Sequence, residues 1–308
     1  MRSIYSLLVF LMAVSFTHAQ PLPNTIEHYS VEDIMLSSDY HKQVCISGMK
    51  YHNNKLYFAS ERCPIIIEAD AKTAKVSRII PLQVPQEFEM EGMTSYGNKL
   101  YLISENTPAV YEVNIETGAL GQLTLNINLP AKSKDGDGME GIAGNETDQK
   151  FYLLRERNDD LTRSQIYTCS VVPAADGKSF SLKYESTVEL ALETPQWRYS
   201  DICFDTKTRK LYCMKSFAKG NKRQQFLECM DVDDKGMPLP ATLKNMPVDN
   251  FTEASIAFKT QGYSMNLEGL TIDPDGNFYI VSDNTSGKAN CELPAKEKTI
   301  LLYLEKQQ

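Results

Sequence analysis

Histidine is scarce in this sequence. There are four, His18, His28, His41 and His52, all near the start of a 308-residue chain. A serine–histidine–acid triad would have to recruit one of them, and no Gly-x-Ser-x-Gly elbow accompanies them. The seven cysteines include no Cys-x-x-Cys and no Cys/His spacing suited to zinc. Walker and dinucleotide glycine motifs are missing, so no nucleotide is expected, and neither is a haem. Beyond the N-terminus no apolar run approaches the roughly 20 residues of a membrane-spanning helix. Positive charge is in deficit: 32 Lys and Arg face 40 Asp and Glu, for a formal net charge of −8. A chain this acidic suits cations and excludes nucleic acid as a natural partner. A polyanionic substrate would need a metal or a local basic cluster to offset the repulsion. If the chain is an enzyme, carboxylates, a hard metal and Arg or Lys must carry the chemistry.

The first residues read as an export signal. Arg2 supplies the positive start, Ser6 to Phe16 an apolar stretch too short to span a bilayer, and Thr17-His18-Ala19 a cleavage site. Residues 1–19 are therefore expected to be a signal peptide. The protein is expected to be secreted or periplasmic, in a bacterial cell envelope, with the mature chain slightly more acidic once Arg2 is lost. Residues 20–308 show no linker and no helix-period segment beyond two turns, and are expected to form one domain and a monomer. The cysteines (Cys45, Cys63, Cys169, Cys203, Cys213, Cys229, Cys291) suit small buried hydrophobes on strands. Cys203 and Cys213 flank a hairpin and could bridge if the register sets them opposite.

One pattern recurs five times. It begins at Ser47-Gly48-Met49, Glu91-Gly92-Met93, Glu140-Gly141-Ile142, Ser200-Asp201-Ile202 and Glu268-Gly269-Leu270. Each is followed, across a turn such as Asn53-Asn54 or Asp273-Pro274-Asp275-Gly276, by a strand-like run such as Lys55 to Ser60 or Phe278 to Ser282. Two further strands fit after most copies. A repeat of roughly 40 to 50 residues with four strands is the signature of a propeller blade. The fold class expected is all-β: a β-propeller of five blades, each of four antiparallel strands, with six blades as the alternative. The fifth copy lacks an outer strand. The N-terminus, around Ile26 to Val31, can supply it and close the ring. The fourth copy's outer strand is expected in a long stretch ending near Phe258.

In such a ring the start of each inner strand and the end of each second strand meet at one mouth. Glu91, Glu140 and Glu268, with Asp137 beside them, are the candidate metal ligands there, because crowded carboxylates repel unless a proton or a cation intervenes. Ca²⁺ is the expected ion, with Mg²⁺ as the alternative. Glu61, Arg62, Glu105, Asn106, Glu156, Arg157, Asp283 and Asn284 are the candidate ligand-binding residues around them, for a small molecule or a protein partner. The alternative reading of the same residues is structural: each Glu pairs with a neighbouring Arg or pins the blade through backbone N–H groups. Asp231 to Gly236 reads as a plain turn, since it lacks the distal Glu of a calcium loop. Trp197-Arg198-Tyr199 suits either stacking on a ligand or packing a lid.

The repeats CISGMKYHNNKLYFASER, EMEGMTSYGNKLYLISEN, DGMEGIAGNETDQKFYLLRER, YSDICFDTKTRKLYCMKSF and NLEGLTIDPDGNFYIVSDN resemble the successive blades of the SdiA-regulated (YjiK-like) propeller family. The resemblance implies an exported bacterial propeller and carries no established catalytic residue. More distantly, the blades resemble the esterase-like phytase propellers and the gluconolactonase and strictosidine-synthase propellers. Those relatives imply a metal-dependent hydrolase of phosphoesters, esters or lactones, acting at the channel mouth.

Overall fold

The structure is a computed structural model that describes residues 29–35, 43–84, 88–134, 137–175, 179–220, 222–284, 291 and 293–307. The expected signal peptide, His28, His41, Asp135 and Gly136 lie outside the described residues.

Alternating apolar residues and Asn- or Gly-containing turns produce short antiparallel strands. β1 (Tyr29–Met35) comes first. Blade one is then β2 (Ile46–His52), β3 (Lys55–Ser60), β4 (Ile65–Asp70) and β5 (Val76–Pro81). Blade two is β6 (Met90–Tyr96), β7 (Lys99–Ser104), β8 (Ala109–Val113) and β9 (Leu120–Gln122). Blade three is β10 (Met139–Asn145), β11 (Lys150–Arg155), β12 (Arg163–Pro173) and β13 (Phe180–Ala191). Blade four is β14 (Trp197–Asp205), β15 (Lys210–Lys219), β16 (Lys222–Asp231) and β17 (Lys244–Asn245). After β18 (Val248–Asp249) and a helix, α1 (Phe251–Thr260), blade five is β19 (Asn266–Ile272), β20 (Phe278–Asp283) and β21 (Leu301–Lys306). The hairpin chemistry holds locally: Asn53 and Asn54 both take left-handed φ, 52° and 61°, the geometry that matches a two-residue turn to strand twist.

The chain forms a five-bladed propeller. Four sheets have four strands in sequence order, and the fifth runs β18-β1-β21-β20-β19. The N-terminal strand closes the ring antiparallel to β21, from Tyr29 opposite Lys306 to Met35 opposite Leu301, a few residues later than the sequence suggests. Five apolar clusters form the core, one between each pair of adjacent blades, such as Met90, Met93 and Leu102 against Ala59 and Ile66. Inner strands are therefore buried on both faces, which explains their apolar composition.

The five inner strands contact one another in a closed circuit, and strands across the ring also approach. Glycine makes this possible. A Cβ on Gly48 would lie 2.1 Å from the Glu91 carbonyl oxygen, and one on Gly92 would lie 2.6 Å from the Gly141 Cα. Blade four carries Asp201 at the equivalent place, and its carboxylate spans to the neighbouring strand. It accepts hydrogen bonds from the Ile202 amide at 2.8 Å and the Leu270 amide at 2.7 Å. Asp201 is 0% exposed.

Three expectations need correction. The outer strand of blade four is the two residues Lys244–Asn245, and the stretch ending near Phe258 is the helix α1, so a helix longer than two turns does exist. Its Phe251, Ala254 and Phe258 fall on one face and pack on the core. Cys203 stands opposite Tyr212, not Cys213, so that pair is out of register and both thiols are free and buried. The disulfide joins Cys63 to Cys291 instead, with Cα atoms 5.7 Å apart and a sequence separation of 228. Among the described residues no helix is long and apolar enough to cross a membrane.

Candidate functional site at the propeller mouth

Every inner strand slips register at the same point. The slip falls between Ile46 and Gly48, Met90 and Met93, Met139 and Gly141, Tyr199 and Asp201, and Leu267 and Gly269. Such a bulge adds one residue against the partner strand and re-aims its side chain. The extra residues are Ser47, Glu91 (with Gly92), Glu140, Ser200 and Glu268, so the repeated motif is a repeated bulge. They link neighbouring blades: the Ser47 side chain hydrogen-bonds Glu91, and the Ser200 hydroxyl donates to the Leu267 carbonyl of the next inner strand at 3.1 Å.

A second tier sits where each second strand ends. The Glu61, Glu105 and Glu156 amides donate back to the carbonyls of Cys45 (2.7 Å), Glu89 (3.2 Å) and Gly138 (3.0 Å). These bonds extend each hairpin by one rung and hold the three carboxylates over the first tier.

Cations thread between the acids. Arg198 reaches Glu156 with Nη1 and Glu268 with Nη2, both at 2.7 Å, and Nη2 also donates to Asn266 Oδ1 at 3.0 Å. Lys132 joins Glu105 to Glu89. Arg62 joins Glu61, at 2.5 Å, to Glu89. Arg157 Nε donates to Asp137 at 2.7 Å. Eight carboxylates (Glu61, Glu89, Glu91, Glu105, Asp137, Glu140, Glu156 and Glu268) thus share four cations.

That imbalance appears as displaced acidities. Burial, reinforced by the charge of Glu140, pushes Glu91 far above the carboxylate range. Burial likewise lifts Glu140, with Glu156, Glu105 and Glu268 adding to the effect. Burial raises Glu156 to about 8, against the opposing pull of Arg198. It raises Glu105 to about 7, against Lys132. Burial also lifts Asp137, but hydrogen bonds from Glu156 and Arg157 outweigh it and hold this carboxyl below its usual value. Glu156 and Asp137, hydrogen-bonded to each other, are therefore driven apart: one keeps its proton and the other loses it. Glu91 (2% exposed) and Glu156 (3%) are buried, while Glu140 and Glu61 are half-buried.

The structure brings Glu61, Arg62, Glu91, Glu105, Asp137, Glu140, Glu156, Arg157 and Glu268 into this one network. Asn106 is exposed and accepts from the Glu89 amide at 3.1 Å, and Asn284 is buried, accepting from the Cys45 amide at 3.3 Å. Both serve the backbone of the rim. Asp283 is buried at the end of β20. Among the described residues no group of three or more acidic, His or Cys side chains is spaced to hold a metal. The arginines and Lys132 already occupy oxygens of Glu61, Glu89, Glu105, Asp137, Glu156 and Glu268.

Sequence reasoning missed Lys132, Glu89 and the bridging role of Arg198. None belongs to the repeated motif: Lys132 lies in the β9–β10 connection, Glu89 immediately before β6, and Arg198 in the fourth inner strand. The run Trp197-Arg198-Tyr199 was the only signal. Alternation along β14 sends Arg198 to the mouth and leaves Trp197 against Phe217 and Phe226, with ring centroids 5.1 and 5.6 Å away.

Fold and site together define a five-bladed propeller with an arginine-laced acidic mouth. The chain belongs to the phytase-like family described as "esterase-like activity of phytase", whose profile matches residues 46–285. The match runs from the first inner strand to just past β20. No curated protein matches the chain. Among solved structures, glutaminyl cyclase of Myxococcus xanthus is similar, with a TM-score of 0.51 and 12% identity, covering 92% of this chain and 98% of that one. The PQQ-bound aldose sugar dehydrogenase of Streptomyces coelicolor is similar too, with a TM-score of 0.51 and 11% identity over 93% and 100% of the two chains. At this identity the likeness is one of fold.

Proposed function

We propose that the mouth is the hydrolytic centre of an esterase-like enzyme that cleaves phosphoesters, carboxylic esters or lactones. The observation that carries this reading is a set of buried carboxyls crowded beside guanidinium groups at one mouth, in a chain of the phytase-like family. Ester cleavage needs a proton for the departing oxygen and positive charge for the oxygen that gains electrons. Burial and the neighbouring carboxylates favour the protonated form of Glu140, which is half-buried, so it is assigned as the acid. Asp137, ionised and joined to Glu156, is the base end of the paired carboxylates. Arg198 supplies the fixed positive charge. The repeat motifs favour the SdiA-regulated branch within this propeller group, and the Cys63–Cys291 disulfide favours an exported protein, because such bonds persist in oxidising compartments.

The test is turnover of a panel of phosphomonoesters, phosphodiesters, carboxylic esters and lactones by the purified protein, with and without chelator. Glu140→Gln is expected to lower kcat roughly a hundredfold with KM little changed. Lack of turnover across the panel, or full activity in the variant, would falsify the assignment.

A second reading is a Ca²⁺-dependent binder or hydrolase, with Mg²⁺ as the alternative ion. The excess of carboxylates over cations favours it. Glu91 and Glu140, which have no cationic partner among the described residues, are the side chains left to receive the ion. Chelator-sensitive turnover supports this reading; turnover indifferent to chelator and to added Ca²⁺ removes it.

A further inference from the structure

We infer that the cleft between α1 and the β15–β16 ribbon is a separate binding site, which takes an ester carrying a phosphate or carboxylate group on a compact aliphatic body. The inference deepens the hydrolase reading and rests on it only for the chemistry, not for the binding. The cleft has a volume of about 880 Å³ and opens beside Arg198. Among the described residues four cations line it, Arg157, Arg198, Arg223 and Lys259, against one acid, Glu297. This basic cluster interrupts an otherwise acidic mouth, and a net-acidic protein needs one to admit an anion.

The fold explains how the cations gather. In the ribbon, Arg198 stands opposite Ser216, and Ala218 opposite Arg223. Strand alternation therefore turns Arg198, Ala218 and Arg223 to one face, away from Trp197 and Phe226. Across the gap, Ile256 and Lys259 are three residues apart on α1 and share its outer face. Arg157 and Arg198 are held in place by their carboxylates. Arg223 and Lys259 form no ion pair among the described residues, and Arg223 bonds only to the Gly220 and Lys222 carbonyls, at 2.8 and 3.1 Å. Arg198 Nε is buried with no hydrogen-bond partner among the described residues. Ile256 is 62% exposed, a large apolar side chain on the wall of a charged cleft. An anionic group between Arg223 and Lys259, with an aliphatic body along Ile256, uses each of these features. It also directs the far end of the molecule to Arg198 and the acids.

The test is calorimetric titration of the full chain with hexyl phosphate, inorganic phosphate, hexanoate and hexanol. Hexyl phosphate is expected to bind about tenfold or more tightly than inorganic phosphate, since a hexyl chain buries several methylene groups. Arg223→Ala with Lys259→Ala is expected to weaken both phosphate ligands about tenfold or more. Ile256→Ser is expected to remove only the hexyl advantage. All three positions are exposed, so folding is not at stake, and thermal denaturation checks it. Unaltered phosphate binding in the double variant overturns the proposal, as does equal binding of hexanol and hexyl phosphate. Hexanoate binding as well as hexyl phosphate assigns a carboxylate-bearing substrate; hexanoate failing while hexyl phosphate binds assigns a phosphate-bearing one. Titration of Glu140→Gln separates the two proposals, because it retains hexyl phosphate binding if the cleft is right, whatever its turnover shows.

Discussion

Asp201 shows how much one side chain can carry. It stands where the other inner strands have glycine, and its two oxygens receive two backbone amides, of Ile202 and Leu270. Both contacts are backbone amides donating to its oxygens, so its role is that of an acceptor, although burial pushes its carboxyl well above the usual range. Asp201→Ala is expected to destabilise the protein by about 2 kcal/mol or more, from the stranded amides. Asp201→Asn, which keeps one acceptor, is expected to fall between alanine and wild type in urea denaturation. Equal stability of the alanine variant refutes this role. The mouth acids predict a pH effect of definite sign. Glu156 has its proton affinity raised from 4.5 to about 8, and Glu105 to about 7. The folded protein therefore holds protons that the unfolded chain releases. Their stabilising contribution is complete below pH 4.5 and is lost as pH rises through about 7 to 8. Melting temperature is expected to fall between pH 5 and pH 8.5, and to fall less in Glu105→Gln with Glu156→Gln. The same decline in both proteins contradicts it.

At the scale of elements, the sequence shows most clearly what repeats. Motifs with Glu-Gly or its substitutes, followed by Lys-Leu-Tyr or its kin, locate the inner two strands of each blade, because alternation and turn residues are local signals. The bulge beneath each Glu-Gly pair is not legible. A register slip is a relation between two strands, and the residues at it differ from ordinary strand residues only by a glycine. α1 was read as strand because its composition, with Phe251, Thr252, Ile256, Phe258 and Thr260, favours strands. Its apolar face against the core decides otherwise. The convergence of acids on one mouth follows from ring geometry and could be anticipated. Arg62 and Arg157, which end second strands, could be anticipated there as well, whereas Lys132 and the bridging role of Arg198 could not, since they come from a connection and a position that occur once.

The whole molecule is closed twice over. β1 completes the last blade, and the Cys63–Cys291 bridge ties the rim of blade one to the long connection of blade five. The Cys63 side of that rim carries Glu61 and Arg62, so the bridge also steadies one edge of the acid network. Cys63→Ser with Cys291→Ser is expected to lower stability by about 2 to 5 kcal/mol, measured by chemical denaturation against wild type under oxidising conditions. Reductant should reproduce the loss in the wild type and leave the variant unchanged. No difference between the two proteins shows that β1 alone suffices to hold the ring.

The glycines that let five strands crowd together also narrow the axis: strands across the ring meet, and Asp201 is mortared between two of them. A molecule admitted over the rim is therefore expected to depart over the same rim, so arrivals and departures share one doorway, and whatever blocks it for one blocks it for both.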